Sequence, residues 1–385
     1  MAHAEAWHTD AFPELRSGPP WVMQEMIAAQ PALIEAILNS PPPGTTGAAA
    51  AITAALGHHR PVIVCGCGTS EHAAHGIAAL IAGAVDPLQA TLVQAKPAFS
   101  AALDPAPGAC LAVSHDGETR ATTLAVAAAH TAGAHTIAIT HQPDAGVARA
   151  AEHVLVTPRH DGSWCHTVAY TSALVAGAAL AGRLGPLTAP PAAARELVEH
   201  ATSSTDAAAL AGRLADRRLV LCAGAHADHI TARELALKIA EGARLPTLAL
   251  ELETVLHGQL VAHDGADALI LVLISDHPEH ERVARRAAHV ARAAAAIGLP
   301  VAGLFSDAYD RMLPAELTPA GRLVTELPDP NRLSGGLAGL LAGAGALHIL
   351  TLELAHARHT NPDLIRREQA PYRDAAQQAE SSDDW

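Results

Sequence analysis

Short apolar runs alternate with longer alanine-rich stretches of helical period along most of this chain. The runs fall at 61–65, 90–94, 110–114, 136–140 and 154–157, and the same beat returns at 219–223, 247–251, 269–275, 300–305 and 322–326. Strands alternating with helices predict βαβ units and a largely parallel sheet buried on both faces. The pattern occurs twice, and the halves echo each other. Residues 64–68 leading into a helix over 72–81 can be laid on 221–225 leading into a helix over 228–239. A Pro/Gly/Ala linker at 185–191 separates them, followed by one predicted helix over 192–214. The apolar segment 333–355 is long enough to span a membrane, but it carries His348, Glu353 and many small residues, which predicts a buried core helix. The expected organisation is an N-terminal segment and leading helix at 1–40, a first α/β domain at 41–190, a second at 191–350, and a C-terminal helix and tail at 351–385. Residues 1–20 and 372–385 read as frayed ends.

Composition narrows the possibilities. At 385 residues the chain exceeds one ordinary core. Half of it is hydrophobic but only 3% is aromatic, which suits helices packed closely on parallel sheets. A formal charge of −14 without any basic run excludes nucleic acid or an anionic membrane as the main partner. Cys65, Cys67, Cys110, Cys165 and Cys222 form no disulfide or zinc spacing, and the N-terminus has no signal-peptide pattern, so a reduced cytoplasmic protein is expected.

The candidate chemistry sits where strands hand over to helices. Val62 to Cys65 runs into Gly66-Cys67-Gly68-Thr69-Ser70, and Cys110 to Val113 into Ser114-His115-Asp116-Gly117-Glu118-Thr119. Loops of glycine and hydroxyl residues at helix N-termini offer free N–H groups to an anion or a polyhydroxy ligand. Two of them in consecutive βα units face one crevice. The same Ser and Thr residues also cap helices. A dinucleotide fingerprint is not met, because Glu71 occupies the third glycine position. The Asp276-His277-Pro278-Glu279-His280-Glu281 stretch lacks H-E-x-x-H spacing and reads as a solvated cap; no metal or other cofactor is implied.

From about Val22 to Arg367 the chain resembles the sugar isomerase (SIS) family, in particular the isomerase half of glucosamine-6-phosphate synthase and related amino-sugar isomerases and deaminases. The resemblance rests on the helix from Met23 to Pro31, the Cys67-Gly68-Thr69-Ser70 loop, the Ser114 to Thr119 loop, Glu234-Leu235-Ala236-Leu237-Lys238-Ile239-Ala240-Glu241, His257-Gly258, and Asn361-Pro362-Asp363. It implies two tandem SIS domains, each a parallel five-stranded sheet flanked by helices, in a homodimer with shared active sites. It also implies an aldose–ketose isomerase or deaminase acting on a hexose or amino sugar, with a phosphorylated one favoured, through an open-chain enediol or enediolamine. A non-catalytic sugar-phosphate sensor and a deglycase or lyase on an aminated sugar remain as alternatives. The absent glutaminase domain argues against glutamine-dependent amination by this chain alone.

Carried over by position, Gly68, Thr69, Ser70, Ser114, His115, Asp116 and Thr119 would hold the substrate, and His166 and Thr167 would line it. Glu241 would be the base, His257 would assist ring opening, and Lys238 is placed as the lysine that can form an imine with the open-chain carbonyl. Only Lys96 and Lys238 are lysines, against 23 arginines, so a lysine at 238 points to chemistry that guanidinium cannot do. The bland alternative is an exposed ion pair with Glu234. No lysine follows Lys238, so Arg366 or Arg367 would bring charge to the site without an imine, which favours simple isomerisation or deamination. Asp116 departs from the family, whose second loop serine touches phosphate. Like charges there cost about 1–4 kcal/mol. Either Asp116 is turned away, or it is offset by a histidine or Arg120, or the ligand ends in a hydroxyl or amine; the reading favours a phosphosugar with Asp116 offset by His115 or Arg120.

Overall fold

A computed structural model describes residues 13–380; the outermost parts of both expected frayed ends lie outside the described residues. Strands β1 (Val62–Gly66), β2 (Val93–Pro97), β3 (Ala109–Val113), β4 (His135–Thr140) and β5 (His153–Val156) form one parallel sheet in the order β2-β1-β3-β4-β5. Strands β6 (Val220–Gly224), β7 (Thr247–Glu251), β8 (Ala268–Leu273), β9 (Val301–Ser306) and β10 (Gly321–Thr325) form the second, in the corresponding order β7-β6-β8-β9-β10. The central strands β1, β3, β6 and β8 are buried at every position, because helices cover both faces.

The duplication is visible in backbone angles. Gly68, before the first helix of one half, has φ 56° and ψ −126°; His226 has φ 51° and ψ −124° at the matching place in the other. Gly66 and Gly224 each lie so close to the following turn that a Cβ would fall 2.5 Å from the backbone of Ser70 or Asp228. Gly66 therefore matches Gly224, and the overlay read from the sequence is shifted by one residue. The cysteines 65 and 222 suggested that overlay, but the tight strand-to-helix turn decides the register.

Three other expectations change. The strand expected at 90–94 begins at Val93, since Asp86 Oδ1 accepts from Leu88 and Gln89 N–H and holds Pro87–Ala90 as a helical turn. The helix expected over 192–214 is two, Pro191–Thr202 and Asp206–Leu214, parted where Ser203 Oγ donates to the His200 carbonyl. The tail expected to fray from 372 forms the helix Ala370–Glu380.

Gly335–Ala357 is buried as expected: 89% of its most apolar window lies inside the fold, against Ala227–Lys238, Pro191–Thr202 and Asp206–Leu214. The leading helix Val22–Asn39 has no cap of its own; Asp363 supplies it, accepting from Val22 N at 2.9 Å and Met23 N at 2.8 Å. The C-terminal segment is thereby tied to the first turn of the fold, and it passes over the C-terminal edge of the first sheet.

Candidate active site

An open cleft of about 700 Å³ lies at the C-terminal ends of β1 and β3. Gly68, Thr69 and Ser70 form one wall, His115, Asp116 and Thr119 a second, and Trp164, His166, Glu241 and Arg367 close it. Residues from three distant parts of the chain thus meet, as the carry-over by position required. Ser114 lies just beneath, buried, with its Oγ 3.4 Å from Thr119 Oγ1. Thr167 does not line the cleft: it is buried, and its N–H donates to Asp161 Oδ2 at 2.6 Å to fix the start of helix Val168–Leu184.

Glu241 owes its position to a change of helix pitch. Ala227–Lys238 widens into a π-helical turn, Ile239–Ala243, which ends at Arg244 in the left-handed region. Side chains from the C-terminal segment take up its carbonyls: Thr360 Oγ1 donates to Gly242 O at 2.7 Å and Arg358 Nε to Ala243 O at 2.7 Å. Such turns re-aim side chains and are frequent at functional sites. Here Glu241 reaches the cleft while Lys238, three residues earlier, stays wholly inside.

Lys238 Nζ lies 2.5 Å from Glu241 Oε2 and 3.6 Å from Glu234 Oε1. Glu234 is itself fully buried, and its Oε2 meets His72 Nδ1 at 2.6 Å. Burial alone would strip the proton from Lys238, but Glu241 and Glu234 hold it above the ordinary lysine range. Burial likewise opposes charge on Glu234, yet Lys238 and His72 bring its pKa down to about 2. The exposed ion pair is thus excluded. At rest Lys238 is a buried ammonium clamped between the two carboxylates, and its 2.5 Å contact fixes where Glu241 points. His72 lies two residues after Ser70, so the chain of contacts links the first loop of the cleft to the carboxylate of the other half.

Asp116 is half exposed and pairs with His160, Oδ1 to Nε2 at 3.5 Å. The hydrogen bond with His160 lowers the Asp116 pKa to about 2 and raises that of His160. For His115, burial, together with His166, pushes the pKa down to about 3, and its Nε2 accepts from Asp161 N at 2.9 Å. His257 lies outside the cleft of its own chain, 67% exposed, paired with Glu253 at 2.8 Å. Arg367 stands over the Trp164 ring at 4.8 Å, and Cys165 is packed beneath, its Sγ 3.9 Å from the Lys238 carbonyl.

Family models match both halves: an SIS domain at residues 56–182, and a bacterial phospho-glucose isomerase C-terminal SIS domain at 203–311. The chain carries two SIS domains. Solved structures share the whole architecture. The C-terminal domain of glucosamine-fructose-6-phosphate aminotransferase from Francisella tularensis superposes with a TM-score of 0.75 at 17% identity, covering 91% of this chain and 99% of that one. Tagatose-6-phosphate ketose/aldose isomerase from Escherichia coli gives 0.70 at 16%, covering 92% and 97%. Glucosamine-6-phosphate deaminase from Thermotoga maritima gives 0.60 at 16%, covering 89% and 96%. At such identities the likeness is one of fold. A sequence comparison with curated proteins finds no match.

The two SIS domains are not equivalent. Where the first presents Thr69 and Ser70, the second has Ala227 and Asp228, and Asp228 turns inward to accept the Ser275 N–H at 2.8 Å. Burial raises the Asp228 pKa to about 7. At that point the second half buries a carboxylate where the first offers hydroxyls. Sequence reasoning missed His72, His141 and His160. Among 24 histidines none of them stands in a recognisable motif, and only the folded chain brings them to the loops.

Proposed function

We propose that this protein is a cytoplasmic sugar-phosphate isomerase or deaminase, acting on a hexose or amino sugar through an open-chain enediol or enediolamine. The observation that carries the reading is the Glu241 carboxylate, ion-paired to a wholly buried lysine and presented to a cleft whose other walls are two hydroxyl-rich helix N-termini. In this reading the phosphate lies against Thr69, Ser70 and Thr119, with Arg120 and Arg367 on the same cleft supplying positive charge. Pairing with His160 offsets Asp116, which removes the main objection to an anion there.

Glu241 takes the proton from C2 of the open-chain aldose, the C2–H electron pair forms the C1–C2 double bond, and O1 takes a proton from cleft water; Glu241 then returns its proton to C1 while the 2-hydroxyl gives its proton back to water and C2 becomes the carbonyl. Lys238 orients the carboxylate through their 2.5 Å ion pair and, from beneath the cleft, favours the negative charge that develops during the transfer. His257 assists ring opening from the partner of a homodimer, which accounts for its exposed position away from its own cleft. The test is turnover of aldose and ketose 6-phosphates and their 2-amino forms, followed by proton exchange with solvent at C2. Glu241→Gln lowers turnover at least about a hundredfold, the scale for a positioned base, with ligand binding retained. Near-normal turnover in that variant removes Glu241 from the mechanism, and with it this function.

A further inference from the structure

Four imidazoles crowd one side of the SIS domain 1 cleft. The His115 ring centre lies 5.4 Å from that of His160, 5.4 Å from His166 and 5.6 Å from His141, and His141 and His160 are 5.5 Å apart. Asp116 joins them through its 3.5 Å contact with His160 Nε2. One ligand atom from each of His115, Asp116 and His160 falls within 4.8 Å of the other two. His160 stands 44 residues beyond Asp116, and only the β5-to-helix connection brings them together, so no local spacing in the sequence marks them as a set.

The geometry points to a site for one divalent transition cation of the zinc type, held by Asp116, His160 and His115 and open to the cleft on its fourth side. Two imidazoles and a carboxylate form a donor set that suits zinc, cobalt or nickel rather than magnesium or calcium. The 3.5 Å between Asp116 and His160 is close to the roughly 3.4 Å edge that two ligands about 2.0–2.1 Å from a tetrahedral ion span. His115 Nε2 now accepts the Asp161 N–H at 2.9 Å, so ligation exchanges that hydrogen bond for a metal bond. Asp161 adjoins His160, so one short segment makes both adjustments. His141 braces the wall, with its Nδ1 2.9 Å from the Thr157 carbonyl, the kind of backbone contact that fixes a ring beside a metal centre.

Such a cation changes what Asp116 means. A bare carboxylate repels a phosphate, whereas the same carboxylate under a divalent ion presents net positive charge and an open position for a phosphate oxygen or a sugar hydroxyl. This consequence rests on the sugar-phosphate reading above; the cation site itself does not.

The experiment uses the metal alone. Full-length protein stripped with a chelator is titrated with Zn2+ by calorimetry, and with Co2+ by visible absorption. One equivalent per chain is expected, with the intense visible bands of four-coordinate cobalt. Asp116→Asn and His160→Gln each weaken that equivalent at least about tenfold, while His280→Gln, in the second domain, leaves it unchanged; circular dichroism checks that each variant folds. Absence of a stoichiometric equivalent, or one that survives both substitutions, overturns the site. Metal binding as expected in a protein that turns over no sugar phosphate upholds the site and sinks the function proposed above. Turnover by a metal-free protein that binds no cation does the reverse.

Discussion

Replacing Lys238 by methionine isolates the buried charge chain without needing a substrate. Methionine keeps the length and most of the volume of the side chain but removes the cation between Glu241 and Glu234, which lie 2.5 and 3.6 Å from Nζ. Glu234 is fully buried and then faces His72 alone. Breaking a buried pair from one side costs about 3–5 kcal/mol, because a charge is left without its partner. Linkage gives a similar figure: the Glu234 pKa falls from the ordinary glutamate value of 4.5 to about 2, and at about 1.4 kcal/mol per unit that is on the order of 3 kcal/mol. An unfolding entropy of about 2.1 cal/mol/K per residue, over 385 residues, converts about 3 kcal/mol into a Tm loss of about 4 °C. The sign with pH follows. A depressed carboxylate pKa stabilises the wild type above the unfolded value of 4.5, and that contribution is lost as pH falls through about 2. In Lys238→Met burial dominates and Glu234 takes up a proton, so the deficit is largest at neutral pH and closes in acid. The assay is calorimetric melting from pH 4 to pH 8. A Tm within about 1 °C of wild type at pH 7, or a deficit that does not change with pH, refutes the buried triad. Adding Glu234→Gln to Lys238→Met recovers part of the loss, since a neutral amide costs less to bury than an unpaired carboxylate.

Asp116→Ser in chelator-treated protein tightens binding of a sugar 6-phosphate and weakens that of the free sugar, the latter by about 1.5–3 kcal/mol if Asp116 bonds a hydroxyl or amine; calorimetry with one sugar and its phosphate reads both, and a loss for the phosphate contradicts the assigned phosphate end. Asp363→Ala removes the shared cap of helix Val22–Asn39 and lowers stability by about 1–2 kcal/mol in denaturant melts; an unchanged midpoint means the segment is held otherwise. Sedimentation shows a dimer at micromolar concentration, and an active monomer there contradicts the contribution of His257 from a partner.

What the sequence determined by itself is the architecture. Alternating apolar runs and alanine-rich helices require parallel sheets covered on both faces, and the ten runs land on the ten strands because a buried parallel strand has to be apolar at nearly every position. Motif order also marked the two ligand loops and the Lys238–Glu241 helix. Errors fell where short-range chemistry competes with pattern: Asp86 capping displaced the start of β2, and serine hydroxyls split the helix after Thr202. Only the tertiary structure decided the state of the charges. Whether Lys238 is a surface cation, a nucleophile or a locked ammonium depends on burial and on Glu234, and neither is a property of local spacing. His160 offsets Asp116 because the chain after β5 folds back over the β3 loop, a contact between residues 44 positions apart that no local pattern encodes. The two halves diverge in the same way, since Asp228, in place of Ser70, turns inward to hold the Ser275 N–H instead of facing a cleft. Periodicity reports which face a residue takes; the partner it meets there, and hence its charge, is set by packing.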